Sequence, residues 1–137
     1  MKSFFDPTIR ALNQNLNLRQ ENQNIISGNI ANADTPGYKA KTSNFEQAMR
    51  DALDLGENVK LETGDQEHFG SKGPEAVQAD VYDDPNGVES LDGNTVDRAG
   101  EMAKMKENQV LYSASIEALR KKIGMLEYGV SEGGGNK

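Results

Sequence analysis

Between Glu101 and Val130 the apolar or semi-apolar residues fall at Met102, Met105, Tyr112, Ile116, Leu119, Ile123, Leu126 and Val130, and only Gln109 interrupts the alternating 3-4 spacing. Hydrophobic residues recurring every 3.5 positions mark a coiled-coil seam. A helix over 101–130 is about 45 Å long at roughly 1.5 Å per residue, with one narrow apolar stripe on a polar surface. Such a helix needs a partner, and this need constrains the rest of the chain.

The comparable stripe lies near the other terminus, where Ile9, Leu12, Leu16, Ile26 and Ile30 keep the same phase with Arg19 and Gln23 between them. The expected fold is therefore mainly α. Residues 1–33 and 101–130 pair as one helical core, 34–100 form a turn, a short helix and an irregular acidic segment, and 131–137 form a disordered tail. The long connection allows parallel or antiparallel pairing, and the seam does not choose between them. Asp6-Pro7 starts the first helix at about residue 6, with Asp as N-cap and Pro at the first helical position. Asn13, Asn15, Asn17, Asn22, Asn24, Asn29 and Asn32, with Gln14, Gln20 and Gln23, fill this helix with amides. Asparagine is a mediocre helix former, so packing must hold the helix. The amides then form either a solvated face or hydrogen bonds to neighbouring helices. Phe4 and Phe5 are either a hydrophobic staple on the first turn or a short handle for another protein.

Thr35-Pro36-Gly37 ends the helix, because Pro36 moves Thr35 out of the helical region and Gly37 supplies a positive φ. Tyr38, Lys39 and Lys41 lead into a short helix over 44–54, patterned by Phe45, Met49, Ala52 and Leu53. Residues 59–63 and 77–82 alternate as short strands that can pair as a hairpin. Asp84-Pro85-Asn86-Gly87 and Leu91-Asp92-Gly93-Asn94 read as turns.

The chain has 137 residues, enough for one domain, but 35% hydrophobic content is poor for an independent core. Much of its burial is expected to be intermolecular. The net charge of -7 is unevenly spread: residues 46–100 hold the acidic excess, and the flanking segments are near neutral. No basic stripe for nucleic acid results. The absence of cysteine excludes disulfides and thiol chemistry. Residues 1–10 lack the basic region and apolar stretch of a cleaved signal peptide, and no run of about 18 apolar residues crosses a membrane. The one histidine, His68, sits in a polar loop with neither a cysteine nor a second histidine to complete a metal site or triad. No carboxylate pair lies in an apolar context suited to acid–base work. Neither an enzyme nor a cofactor is expected.

The stretch from Asn29 to Lys41, NIANADTPGYKAK, closely resembles the signature that follows the N-terminal helix in flagellar axial proteins of rod and hook type. It contributes Asn29, Ala31, Asn32, Thr35, Pro36, Gly37 and Tyr38. A second motif, with Asp92, Gly93, Asn94, Val96, Asp97, Glu101 and Met102, is similar to that of a proximal rod subunit. It departs from the usual pattern at Arg98-Ala99-Gly100. The resemblance implies a structural subunit of the periplasm-spanning rod, exported through the flagellar type III apparatus without a cleaved signal. It also implies as partners copies of the chain, other rod proteins and the basal-body adaptor at the MS ring. The alternative class is a small cytoplasmic coiled-coil adaptor or export chaperone.

Overall fold

The computed structural model describes residues 7–54 and 77–133. In chain order these form α1 (Pro7–Ala31), β1 (Lys41–Ser43), α2 (Phe45–Asp54), β2 (Val81–Asp83) and α3 (Arg98–Gly133). Two long helices flank a short helix, as the periodicity predicts, and a two-stranded sheet.

Pro7 opens α1 at a position where its missing N–H costs nothing; Asp6, the expected N-cap, lies outside the described residues. The helix ends at Ala31, two residues before the expected boundary. Asn32 N still donates to Gly28 O (3.1 Å), and the chain then turns through Thr35 and Gly37, the latter at φ 72°. Asp97 caps α3: its Oδ1 accepts from Gly100 N at 3.2 Å, and its carbonyl accepts from Glu101 N at 2.8 Å. A Cβ at residue 100 would stand 2.6 Å from Asp97 Oδ2, so the Arg98-Ala99-Gly100 departure gives the cap room. The helix consequently begins at Arg98 rather than Glu101. It continues to Gly133, so residues 131–133 are helical rather than part of a disordered tail, and 134–137 lie outside the described residues.

The long helices run antiparallel, which the sequence left open. Asn29 Nδ2 donates to Glu101 Oε2 (3.0 Å), Asn108 Nδ2 to Arg19 O (2.9 Å) and Gln23 Oε1 (3.0 Å), and Ser115 Oγ to Asn15 Oδ1 (2.9 Å). Residue numbers rise on one helix as they fall on the other. On its other side α1 carries α2: Leu18, fully buried, packs with Ala48 and Ala52, and Phe45, Met49, Val77 and Ala79 close the cluster. The Arg19 guanidinium lies 5.5 Å from the Phe45 ring centroid. Leu18 belongs to neither predicted stripe, because it serves this second face of α1.

The sheet differs from the expected hairpin. Residues 59–63 lie outside the described chain, and the strand expected over 77–82 narrows to Val81–Asp83 and pairs antiparallel with Lys41–Ser43. Lys41 lies opposite Asp83, and their side chains form an ion pair. Asn44 closes one end of the pair, since its N donates to Asp80 O (3.2 Å) and its Oδ1 accepts from Asp80 N (2.7 Å).

Among the described residues the buried apolar set is small: Leu18, Ile26, Ala40, Ala48 and Ala52. Leu18→Ala should therefore cost about 2 to 5 kcal/mol, a large part of an ordinary domain's stability, and release α2 from α1. Hydrogen exchange at Ala48 and Ala52 reads this directly. The fully exposed Leu91 should change stability by no more than about 0.5 kcal/mol on truncation.

Candidate assembly site: a motif clamp and a rotated helix seam

The two family-like motifs, distant in sequence, close on each other. Asn94 is 4% exposed. Its Nδ2 faces the carbonyls of Asn32 (2.9 Å), Ala33 (3.1 Å) and Thr35 (2.8 Å) in the turn that follows α1, where those of Asn32 and Thr35 also accept from Thr35 N and Tyr38 N. Its Oδ1 accepts from Val96 N at 2.7 Å, which fixes the amide's orientation. Around this amide, Gly37 N donates to Asp92 O (2.8 Å), Thr95 N to Tyr38 O (3.0 Å), and Ala40 N to Thr95 Oγ1 (2.8 Å). Lys39 Nζ reaches Gly93 O and Glu89 Oε1, both at 3.0 Å, and Arg98 pairs with Asp34. Gly37 and Gly93 are the two positive-φ glycines of the described chain, and a Cβ on Gly93 would sit 3.4 Å from Gly37 Cα. Glycine at 93 thus meets two demands, a left-handed backbone and a close approach.

Asn29, 1% exposed, joins three elements. Its Nδ2 donates to Lys41 O (2.7 Å) and to Glu101 Oε2 (3.0 Å), and its Oδ1 accepts from Lys41 N (2.8 Å). Glu101, also buried, takes a further bond from Lys104 Nζ at 2.8 Å. Of the remaining motif residues, Ala31 and Pro36 are exposed, while Asn32 Nδ2 donates to Gly28 O at 2.8 Å. Thr35 Oγ1 donates to Asn32 Oδ1 at 3.2 Å, and Tyr38 and Val96 are half-buried.

The seam is where sequence and structure diverge most. On α1, Ile26 is buried and Ile9, Leu12, Leu16 and Ile30 are half-buried. On α3, Met105, Tyr112, Ile116 and Leu119 are half-buried, but Met102, Ile123 and Leu126 are exposed. The face turned to α1 is instead Glu101, Met105, Asn108, Tyr112, Ser115, Leu119 and Lys122, the same 3-4 spacing rotated by roughly 60° about the helix axis. The rotation has a visible cause: Glu101, Asn108 and Ser115 recur every seven residues and bond Asn29, Gln23 and Asn15 on α1. An apolarity criterion passes over polar residues at heptad spacing, so the sequence reading missed Glu101, Asn108 and Ser115 as seam residues. The signal that could have found them was the matching run of amides on the opposite helix. His68, Phe4 and Phe5 lie outside the described residues.

The family described as flagella basal body rod protein matches residues 9–39, most of α1 and its motif. The chain belongs to the flagellar basal-body rod protein family. Within it the similarity is to proteins named FlgB: that of Cereibacter sphaeroides is 39% identical over 113 residues, covering 82% of this chain and 85% of the relative. FlgB of Aeromonas hydrophila is 36% identical over 116 residues (81% and 83% covered), and that of Escherichia coli K12 35% identical over 130 (88% and 91% covered).

Two outcomes test the clamp. Asn94→Ala should cost about 1 to 3 kcal/mol, because it removes a buried amide that bonds the turn after α1 and leaves Val96 N without its acceptor. Gly37→Ala, with open space around the added Cβ, should cost about 1 to 2 kcal/mol for the left-handed backbone alone; Gly93→Ala should cost more, since its Cβ also crowds Gly37. Urea unfolding of the three variants gives the order. The clamp should also loosen in acid. Ser90 Oγ, and secondarily Asn94 N, hold the Asp92 carboxylate below its usual range. A lowered folded-state pKa stabilises the fold above the unfolded value near 3.8, and that stabilisation disappears as pH falls through the folded pKa. Exchange at Asn94 N followed from pH 5 downward should show the loosening in the wild type and none in Asp92→Asn.

Proposed function

We propose that the chain is a structural subunit of the proximal rod of the flagellar basal body. Its terminal helices pack against copies of itself and related rod proteins in a helical tube that transmits motor torque. On this reading the adaptor at the MS ring and the type III export apparatus are further partners, and the chain leaves the cytoplasm without a cleaved signal. The observation that carries the assembly reading is the far end of α3. In the antiparallel register Pro7 lies level with about Ile123. From there to the end of the helix Ile123, Met125, Leu126, Tyr128 and Val130 are 41 to 71% exposed. Their positions point around most of the helix circumference. A helix that is apolar on several sides is stable only when surrounded, and the described part of α1 does not reach that far.

A double substitution, Met125→Asp with Val130→Asp, tests the reading. It sits outside the clamp and the α1–α3 contact, so secretion should persist while incorporation into basal bodies falls at least tenfold in cells lacking the wild-type copy. Normal incorporation would remove the observation on which assembly rests. Recovery of the wild-type chain in a stable cytosolic complex, absent from basal bodies, would favour the adaptor class instead.

A further inference from the structure

The two most exposed large apolar side chains of the described residues lie together beside the motif clamp. Leu91 is fully exposed and Val88 is 87% exposed. Ser90 N and Oγ both donate to Asn94 O at 2.9 Å, so the loop that carries them is held against the clamp and is no slack connection. A single exposed leucine is ordinary; an apolar pair fixed outward in one loop is not. The charge around the pair has one sign. Asp80, Asp83, Asp84, Glu89 and Asp92 fall between residues 80 and 92, where there is no lysine or arginine. Lys41 and Lys39 meet Asp83 and Glu89, and among the described residues the other three carboxylates form no ion pair.

The far end of α3 has the opposite character. Lys121, Gly124, Met125 and Tyr128 share one helix face, roughly a third of a turn away from the line of Lys122 and Leu126 that continues toward α1. Met125 and Tyr128 are 68% and 63% exposed, and a Cβ at Gly124 would meet nothing within 4 Å. Glycine inside a helix costs about 1 kcal/mol relative to alanine, and here it leaves a gap between two large side chains. Lys121 is exposed and forms no ion pair among the described residues, while Glu127 falls on another face. Met102, Val110 and Leu111 make a second exposed apolar stretch of α3. It matches the acidic loop less well, because Lys104 is already bonded to Glu101 and Glu107 follows Lys106.

The loop and the far end of α3 cannot meet within one chain. The clamp ties the loop to the Glu101 end of the helix, and Glu101 to Ile123 spans about 33 Å. Neither surface suits its own twin, since two acidic loops or two Lys121 faces would set like charges together. Each copy therefore carries both halves of a complementary pair, one at either end. We propose that the Val88–Leu91 loop of one copy docks on the Lys121–Tyr128 face of a second copy, with Leu91 over Gly124 and the carboxylates of Glu89 and Asp92 toward Lys121. This inference rests on the assembly reading above and adds the contact and its direction, the clamp end of one subunit on the far end of the next. Such a contact is heterologous, and repeated it builds a ring or a helical array rather than a closed dimer.

The cysteine-free sequence makes the test direct. Leu91→Cys and Gly124→Cys, both at exposed positions, are co-expressed in cells lacking the wild-type copy, and purified basal bodies are treated with a short bismaleimide. The expected product joins residue 91 of one chain to residue 124 of another, at least fivefold above the 91–91 and 124–124 products. Lys121→Glu added to the Gly124→Cys chain should cut that product at least threefold, and an unchanged yield overturns the charge match that selects the partner. Basal bodies that contain both cysteine variants without the excess overturn the contact and leave the rod assignment standing; so does linkage of residue 91 to a chain of different mass. Absence of the wild-type chain from basal bodies overturns both readings. Should either variant be excluded from rods that accept the wild type, Val88→Cys with Met125→Cys reads the same contact, and the same excess decides it.

Discussion

The side-chain amide of Asn29 is the bond on which the other contacts depend. It meets the peptide group of Lys41 as a neighbouring strand would, one donor to one acceptor in each direction, and passes its second N–H to Glu101. In this way one residue of α1 sets the position of β1, the first turn of α3 and the antiparallel register. The chemistry admits few substitutes. Aspartate cannot donate to Lys41 O and would face Glu101 as a like charge; glutamine carries the amide one carbon too far. Because the amide is 1% exposed, water cannot take over its bonds, and an unmade bond there costs about 1 to 3 kcal/mol.

A seam that alternates a carboxylate, an amide and a hydroxyl with methionine, tyrosine and leucine holds less tightly than an apolar one. It gains register instead. Sliding α3 by one turn would break the bonds of Glu101, Asn108 and Ser115 together, much as a buried asparagine fixes alignment in a coiled coil. Turning these polar residues inward also turns Met102, Ile123 and Val130 outward, where a subunit in an assembly can use them. A helix pair precise in alignment and modest in burial suits a protein whose remaining surface is completed by neighbours.

Much of this was legible in the sequence. The 3.5-residue period located both long helices, Pro36-Gly37 located the turn, and the amphipathic run from Phe45 located α2, because each depends on local chemistry. Three features did not follow from local chemistry. The rotation of α3 depends on which amide of the other helix each polar group meets. The pairing of Lys41–Ser43 with Val81–Asp83 joins segments distant in the chain, with β1 held at Lys41 by the side chain of Asn29. Leu18 is buried by α2 and not by α3, a choice its spacing does not record. The motif residues 92–97 were recognisable as a pattern, but their role in holding the turn after α1 appears only when Asn94 is seen reaching three carbonyls.

The β1–β2 pair also has a bearing on how this chain tolerates change in length. The path leaves the clamp through Lys41–Ser43 and returns through Val81–Asp83, two strands in direct register. Everything between them is thus bracketed at a fixed base. The motif contacts lie outside this bracket, and in general each doubling of a flexible connection costs only about 0.6 kcal/mol in closure entropy. What is added between α2 and β2 thus lengthens the path between two strands whose separation the sheet already sets, and it leaves the contact between the motifs where it is.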